Sequence, residues 1–270
     1  MLTTVFSLHG DDNELNDIYR SICTNAKLIR RLDPKRHISL LVKSRAGLDD
    51  LSLFDRVYEY DWSTNDIGFL AKALPSIDAD QVLYLSPRIF CMDALTRTFE
   101  RNFPVGVFFP ENVLDFRGLN IATEEAWNEQ KLFSKHNWPI LNPKLLLFNN
   151  DDNSREFFKA LDLFFGNWEN IGAEISEGAM VEDTWDNLIA FTGLLHPELY
   201  RKTKLLNFRS LARRDNASDK NWMNKKWHDW LDVWWVAKDG FYLRIENFRQ
   251  QGFIELTDDC LINIEQWLAK

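Results

Sequence analysis

The chain has 270 residues, a formal net charge of −9, 45% hydrophobic residues and 27% charged residues, which is typical of a soluble globular protein. No apolar run approaches the roughly 18 residues that span a bilayer, which excludes a transmembrane helix, and the first residues lack the pattern of a signal peptide. The acidic net charge argues against non-specific binding of nucleic acid by the whole chain. Three cysteines without metal-ligand spacing indicate a reducing compartment, and we expect a cytoplasmic protein with no membrane partner.

The first part of the chain alternates between short apolar runs and stretches whose apolar residues have helical spacing. The predicted order is strand 2–8, helix 14–32, strand 37–42, strand 54–60, helix 64–74, strand 82–85, helix 92–101 and strand 105–109. Such alternation predicts an α/β fold, a mostly parallel mixed sheet flanked by helices. In such sheets, ligands bind beyond the carboxyl ends of the strands.

The second part of the chain is less regular and predicts a helical C-terminal part. Its predicted elements are strand 145–148, helix 154–168, helix 184–195, strand 204–208, helix 221–235 and short helices at 244–250 and 262–268. We expect an α/β half at 1–140 that binds nucleotide and a second half at 141–270, together forming one continuous domain.

Polar residues follow two of the predicted strands. His9, Gly10 and Asp11 come after the first strand, where they form either a nucleotide-binding loop or an ordinary helix-capping loop. Ser86-Pro87-Arg88 comes after the apolar run VLYL, where it forms either a surface turn or an anion site, because arginine binds phosphate with a fork of two hydrogen bonds.

A basic segment at 201–226 stands out from the acidic remainder. It holds nine basic and two acidic residues, a net charge of +7, so the rest of the chain carries −16. A local positive field in an acidic protein usually has an anionic partner. The alternative is that the basic segment is a solvated surface.

Three tryptophans follow the basic segment. Trp227, Trp230 and Trp234 share one face of the predicted helix, where they form either core packing or a platform for an unstacked base.

The order of these segments resembles the GT-A-fold glycosyltransferases, in particular the glycogenin-like group and related phage enzymes. The resemblance covers most of the chain and is carried by HISLLV (37–42), FDRVYEYDW (54–62), VLYL (82–85), LNPKLLLFNN (141–150), VEDTWDNLIA (181–190), KLLNFRSLARRDNASDKNW (204–222) and LRIENFRQQGF (243–253). It implies a nucleotide-diphospho-sugar donor, here a UDP-sugar, and transfer of the sugar to a hydroxyl group.

The sequence departs from the family at the metal site. Where the family continues VLYL with Asp-x-Asp, whose carboxylates hold a divalent metal, this chain has Ser86, Pro87 and Arg88. Hard cations need oxygen ligands that Arg88 cannot supply. We therefore assign no metal ligand and expect either metal-independent transfer or an inactive site. Pro143-Lys144 also replaces a small residue of the family.

The resemblance implies a role for each candidate site residue. Asp183 and Arg88 are the catalytic candidates, although first-turn carboxylates such as Asp183 and Asp186 also have a structural reason in the helix dipole. The donor-binding candidates are His9, Gly10, Asp11, Lys72, Ser86, Arg88, Arg209, Arg213, Arg214 and Lys220. The acceptor-binding candidates are Asn142, Asp186, Trp222, Lys225 and Lys226.

Three functions remain open at this point. The first is sugar transfer to a hydroxymethylated base in phage DNA, in the host cytoplasm, with the basic segment against the DNA backbone. The second is transfer to a glycan or protein acceptor, in which case the basic segment serves the donor alone. The third is a non-catalytic binding protein that keeps the fold.

Overall fold

The computed structural model describes only part of the chain, in two compact units. The described residues are 1–10, 13–61, 68–91, 107–110, 141–167, 204–205, 211–213, 234–237, 240–245, 248–250, 253–255 and 261–269. Unit 1 comprises Met1–Asn65, Leu83–Asn102 and Asn207–Lys270, and unit 2 comprises Asp66–Val82 and Phe103–Leu206.

Thirteen strands and four helices are described in chain order. They are β1 (Leu2–Ser7), α1 (Leu15–Leu32), β2 (His37–Val42), β3 (Arg56–Glu59), α2 (Gly68–Ala73), β4 (Gln81–Leu85), β5 (Ile89–Cys91), β6 (Val107–Pro110), β7 (Leu141–Asn149), α3 (Asp152–Gly166), β8 (Lys204–Leu205), β9 (Leu211–Arg213), β10 (Trp234–Ala237), β11 (Gly240–Ile245), β12 (Phe248–Gln250), β13 (Phe253–Glu255) and α4 (Leu261–Leu268). None of the described helices combines the length and apolar character that crossing a bilayer requires.

The main sheet of unit 1 runs in the order β3-β2-β1-β4. Strands β1 and β2 are parallel, as are β2 and β3, with Thr3 opposite His37 and Ser39 opposite Arg56. The residues of β1 from Thr3 to Ser7 are fully buried. Parallel strands covered on both faces have nearly continuous apolar runs rather than alternation, which is why β2 and β4 could be predicted from sequence.

Helix α1 covers this sheet with its apolar stripe. Ile22, Ala26 and Ile29 are buried, as their helical spacing predicts. The helix ends where the backbone N–H of Asp33 donates to the carbonyl of Ile29, just before a proline. On its outer side, Arg20 forms a two-bond ion pair with Glu265 of α4, and this hydrogen-bonded pairing lowers the pKa of the Glu265 carboxyl.

In unit 2, the strand order is β7-β6-β8. Strands β6 and β7 are antiparallel, with an irregularity between Val107 and Phe109, and β6 and β8 are parallel. The core lies between β7 and α3, where Phe148 and Phe158 pack edge to face with ring centroids 4.9 Å apart. The α/β fold with a mostly parallel mixed sheet, predicted from the alternation of elements, is confirmed.

Two small sheets correct the predicted helices near the C-terminus. Strands β10, β11 and β12 form an antiparallel meander, and β13 pairs with β5 and with β9. The helices predicted at 221–235 and 244–250 are therefore wrong at 234–235, 244–245 and 248–250, which lie in strands. Aromatic and β-branched residues favour strands. The i, i+7 relation between Trp227 and Trp234 does not describe a helix face, because Trp234 lies in β10.

We expect Asp55→Asn to lower the free energy of unfolding by about 1–2 kcal/mol at neutral pH. The Asp55 carboxylate accepts hydrogen bonds from the backbone N–H of Ile38 at 2.7 Å and from Arg30 at 2.6 Å. Burial acts to raise its pKa, but these two donors hold it below the ordinary value. A carboxyl group whose pKa is lower in the folded than in the unfolded protein stabilises the fold at any pH above its unfolded pKa. This stability is lost as the pH falls through the pKa of the folded protein.

Urea unfolding at pH 7 and near pH 3 measures this effect. The difference between the wild type and Asp55→Asn should shrink at the lower pH. The control, Asp61→Asn on the surface, is expected to stay within about 0.5 kcal/mol of the wild type at both pH values. An equally large Asp55 difference at both pH values contradicts the assignment.

Candidate functional site

The carboxyl ends of β1 and β4 carry the first group of candidate residues. Ser7 is the last residue of β1, and Tyr84 is the penultimate residue of β4. Their hydroxyl oxygens lie 3.0 Å apart, so the two strands end at the same edge of the sheet in unit 1. His9 follows Ser7, and Ser86 follows the end of β4. The two polar loops predicted from sequence thus leave neighbouring strands at one edge.

A hydrogen-bonded row connects His9 to the interior. The Oγ of Ser7 lies 2.9 Å from Nδ1 of His9 and 3.0 Å from the hydroxyl of Tyr84. Burial lowers the pKa of the His9 imidazole, against a backbone hydrogen bond at Ser7 that raises it. Burial raises the pKa of Tyr84 to about 12, more than its bond to Ser7 lowers it. Burial thus favours the neutral form of the His9 imidazole and the protonated form of the Tyr84 phenol.

The Ser86-Pro87-Arg88 tripeptide forms a tight turn fixed by α1. The backbone N–H of Ile89 donates to the carbonyl of Ser86 at 2.9 Å. The Ser21 hydroxyl donates to the carbonyl of Pro87 at 2.7 Å, and the Asn25 amide donates to the carbonyl of Ile89 at 2.5 Å. Pro87 is buried and Arg88 is exposed. The backbone of the turn is thus held rigidly, and the guanidinium group lies at the surface.

Arg88 lines a small pocket between this turn and α1. The pocket has a volume of about 70 Å³ and is lined by Glu14, Asp17, Ile18, Ser21, Pro87 and Arg88. Its two carboxylates and one guanidinium give a formal charge of −1. The net negative charge of the lining weakens the attraction of an anion to Arg88, and the pocket holds only a small part of a nucleotide-sugar.

Gly10 is required by the backbone and by a close contact. Its φ is +148°, a conformation that residues with a side chain rarely adopt, and a Cβ atom would lie 2.7 Å from Cδ1 of Ile18. The glycine therefore has a structural reason beside its predicted donor-binding role: it lets the loop after His9 pass close to α1.

We expect Gly10→Ala to lower the free energy of unfolding by about 1–3 kcal/mol. Gly47→Ala is the matched control, since Gly47 also has a positive φ, +78°, but nothing lies within 4 Å of its Cβ position. Thermal and urea unfolding of both variants separate the contact from the backbone conformation. If both variants lose the same stability, the contact with Ile18 adds nothing to the requirement for glycine.

The other predicted site residues are only partly described. In unit 2, Lys72 is 69% exposed, and its Nζ lies 3.4 Å from Oδ1 of Asp162 on α3. Asn142 lies in β7 opposite Phe109, and Arg213 lies in β9 opposite Glu255. The following candidates lie outside the described residues: Asp11, Asp183, Asp186, Arg209, Arg214, Lys220, Trp222, Lys225 and Lys226.

The side chains described at the end of β4 do not fit a divalent metal. Ser86 supplies one neutral hydroxyl oxygen, the carbonyl of Pro87 accepts a hydrogen bond from Ser21, and Arg88 brings a positive charge that repels a cation. Among the described residues, no group of three or more His, Cys, Asp or Glu side chains is placed to hold a metal ion.

Sequence reasoning missed the polar residues that support the two loops. Ser7 and Tyr84 stand within apolar strands, and Ser21 and Asn25 stand on the buried side of α1, where both are at most 4% exposed. The signal available in the sequence was a polar residue at a position where the spacing predicts a buried apolar side chain. Such residues need hydrogen-bond partners when they are buried, so they indicate a fixed loop nearby.

Solved structures with a similar fold are glycosyltransferases. A complex of galactosyltransferase LgtC with donor and acceptor sugar analogs has a TM-score of 0.50 and 17% identity, over 79% of this chain and 76% of that chain. An active-site mutant of LgtC has a TM-score of 0.53 and 15% identity, over 100% and 97%. Mouse xyloside xylosyltransferase 1 has a TM-score of 0.52 and 12% identity, over 80% and 88%.

These likenesses establish the class of fold, the GT-A fold of glycosyltransferases. At such identities they establish the fold alone. No family model and no curated protein sequence matches the chain.

Proposed function

We propose that this protein is a glycosyltransferase that moves a sugar from a nucleotide-diphosphate sugar, most simply a UDP-sugar, to a hydroxyl group. The observation that carries the proposal is the meeting of His9, Ser7 and Tyr84 at the carboxyl ends of β1 and β4, beside the turn that presents Arg88. Ligands of such sheets bind at this edge. The GT-A fold and the LgtC complex with donor and acceptor sugar analogs support the choice of substrate class.

The proposed transfer needs charge compensation and removal of a proton. The acceptor oxygen forms a bond to the anomeric carbon, and the bond from that carbon to the diphosphate breaks, its electron pair leaving with the nucleoside diphosphate. Arg88 offsets the developing negative charge in place of a metal. Asp183 takes the proton of the acceptor hydroxyl. The basic segment at 201–226 adds further positive charge to offset that of the departing diphosphate.

For the acceptor, we propose a hydroxymethylated base in phage DNA. The net charge of +7 in the basic segment supports it, since a phosphate backbone is attracted to positive charge while the acidic remainder repels it. Trp222, Lys225 and Lys226 lie in this segment. The second candidate is a glycan or protein hydroxyl, which the name of the mouse xyloside xylosyltransferase favours.

Nucleotide release from a panel of UDP-sugars, measured with and without EDTA, tests the proposed activity. We expect release with at least one donor and no loss in EDTA. If no donor is turned over and no nucleotide shifts the melting temperature, the proposed enzymatic activity is contradicted. The alternative is then a non-catalytic binding protein with the same fold.

Mass spectrometry of the acceptor tests the DNA proposal once a donor is known. DNA that contains hydroxymethylcytosine should gain one sugar mass, and plain DNA of the same sequence should gain none. If neither DNA gains a sugar with a donor that the protein turns over, the DNA proposal fails and the glycan or protein acceptor is favoured.

A further inference from the structure

The four residues from Ser86 to Ile89 form a β-turn of type I. The backbone N–H of Ile89 donates to the carbonyl of Ser86 at 2.9 Å, so Pro87 and Arg88 occupy the two central positions. A type II turn requires a positive φ at the second central position. Among the described residues other than glycine, Asp50 is the one with a positive φ, so the φ of Arg88 is negative and the turn is of type I.

The two turn types differ in the orientation of their central peptide group. From type I to type II, ψ of the first central residue changes from about −30° to about +120°, and φ of the second changes from about −90° to about +80°. In this turn the central group joins Pro87 to Arg88, and its carbonyl accepts the Ser21 hydroxyl of α1 at 2.7 Å. A rotation to type II directs that carbonyl away from Ser21, so the bond belongs to the type I form.

Asn25 lies four residues after Ser21 on α1 and holds the strand that follows the turn. Its Nδ2 donates to the carbonyl of Ile89 at 2.5 Å, and its Oδ1 accepts from the N–H of Cys91 at 3.4 Å. A neighbouring antiparallel strand contacts the same pair of groups, the carbonyl of one residue and the N–H of the residue two positions later. The short strand β5 is therefore held by α1 as well as by β13, with which it pairs.

We propose that Ser21 and Asn25 are positioning residues that lock the turn in its type I form, so that Arg88 presents its guanidinium group in one direction before the donor binds. The proposal rests on the proposed function for the task of Arg88, whereas the form of the turn is a property of the free protein. Charge compensation is most effective when the compensating group is already in place, because no reorganisation is then needed as the diphosphate leaves. The candidate site thus extends to two residues of α1 that act through Arg88.

The burial of both side chains explains why they hold the turn firmly. Ser21 is 4% exposed and Asn25 is 0% exposed, so water has little access to replace the bonds that they make. A buried hydroxyl or amide without a partner is costly, and rotation of the peptide group between Pro87 and Arg88 leaves the Ser21 hydroxyl in that state. The exposed side chain of Arg88 therefore projects from a backbone with little freedom.

Thr24 provides a matched control on the same helix. It is also 4% exposed, but its hydroxyl donates to Oε1 of Glu265 on α4 at 3.2 Å rather than to the turn. Ser21→Ala and Thr24→Val each remove one buried hydroxyl from α1, and only Ser21→Ala releases the carbonyl of Pro87. A comparison of the two variants therefore separates the form of the turn from the stability of α1.

Proton NMR of the full-length protein tests the form of the turn without any ligand. The nuclear Overhauser effect between Hα of Pro87 and the amide proton of Arg88 is weak in a type I turn and strong in a type II turn, because the peptide rotation brings these protons together. We expect a weak effect in the wild type and in Thr24→Val, and at least about a 3-fold stronger one in Ser21→Ala. An unchanged effect in Ser21→Ala overturns the proposal. Should Ser21→Ala fail to fold, Ser21→Cys keeps the shape with a weaker S–H donor and gives the same readout.

A double-mutant cycle with Arg88→Gln tests whether the two residues act through Arg88. At saturating donor, Ser21→Ala and Asn25→Leu are each expected to lower kcat about 10-fold when Arg88 is present, and less than about 2-fold in Arg88→Gln. Thr24→Val should stay within about 2-fold in both backgrounds. A merely structural role lowers kcat by the same factor with and without Arg88, and that result contradicts the proposal.

The two tests separate the inference from the proposed function. If no UDP-sugar is turned over by any form of the protein, the proposed function fails, and the NMR result still decides whether Ser21 locks the turn. If a donor is turned over and Ser21→Ala lowers kcat equally in the wild type and in Arg88→Gln, the inference fails and the proposed function stands.

Discussion

Arg88→Gln is expected to lower kcat for sugar transfer by about 100-fold. Glutamine keeps much of the length and one amide donor, but it loses the charge and the fork of two hydrogen bonds that compensate a leaving diphosphate. Arg88→Lys keeps the charge without the fork, and we expect it to lose about 10-fold. Steady-state nucleotide release at saturating donor measures kcat directly, and an unchanged kcat in Arg88→Gln contradicts the role of Arg88.

The control for Arg88 is another exposed arginine of unit 1. Arg45 forms an ion pair with Glu59 at 2.7 Å, and its side chain is 51% exposed. Arg45→Gln removes the same charge, and kcat should stay within about 2-fold of the wild type, since surface ion pairs contribute little.

Addition of EDTA tests whether a metal ion, rather than Arg88, compensates the charge of the diphosphate. Turnover that disappears in EDTA and returns with a divalent metal shows that a cation, not Arg88, neutralises the diphosphate.

Asp183→Asn is expected to lower kcat by about 100- to 10,000-fold with little change in KM for the donor. The carboxylate is proposed to remove the proton of the acceptor hydroxyl, and an amide of the same shape cannot. The pH profile of kcat measures this role separately from a structural one. In the wild type, kcat should rise as the carboxyl group ionises, and this rise should be absent from Asp183→Asn.

The alternative for Asp183 is an electrostatic contribution to the start of a helix, worth about 0.3–1 kcal/mol of stability. Asp152 is the matched control, because it begins α3 and pairs with Arg155 at 2.9 Å. Asp152→Asn should lose a similar small amount of stability and keep full activity. If Asp183→Asn also keeps its kcat and loses only stability, its role is structural and the base lies elsewhere.

The alternation of elements in the first part of the chain was sufficient to predict the fold. Strands β2 and β4 are rich in apolar residues because both faces of the sheet are covered, and α1 has a clear apolar stripe, so their positions could be predicted from the sequence pattern. The strands β10–β13 were missed because short aromatic runs fit a helix and a strand equally well over a few residues. Only their pairing with partners distant in sequence, such as β13 with β5, determines the strand state.

The candidate site could be predicted only in part for a related reason. Strand ends followed by polar loops led to His9 and Arg88 directly. The supporting residues Ser7 and Tyr84 are 77 positions apart, and their contact exists only because β1 and β4 are neighbours in the sheet. Gly10 was predicted from its place in the loop, but its closeness to Ile18 depends on how α1 packs. The position of a candidate site residue along the chain could be predicted from sequence, whereas the residues that it contacts are determined by the fold.

A crystal structure of the protein with bound UDP tests the central claim most directly, because it shows what Arg88 and His9 face in the complex. The account predicts diphosphate oxygens within hydrogen-bond distance of the Arg88 guanidinium group, and the base or ribose of the nucleotide beside the loop that begins at His9. UDP bound away from the ends of β1 and β4, or a divalent cation between its phosphates and the carboxylates of Glu14 and Asp17, contradicts it.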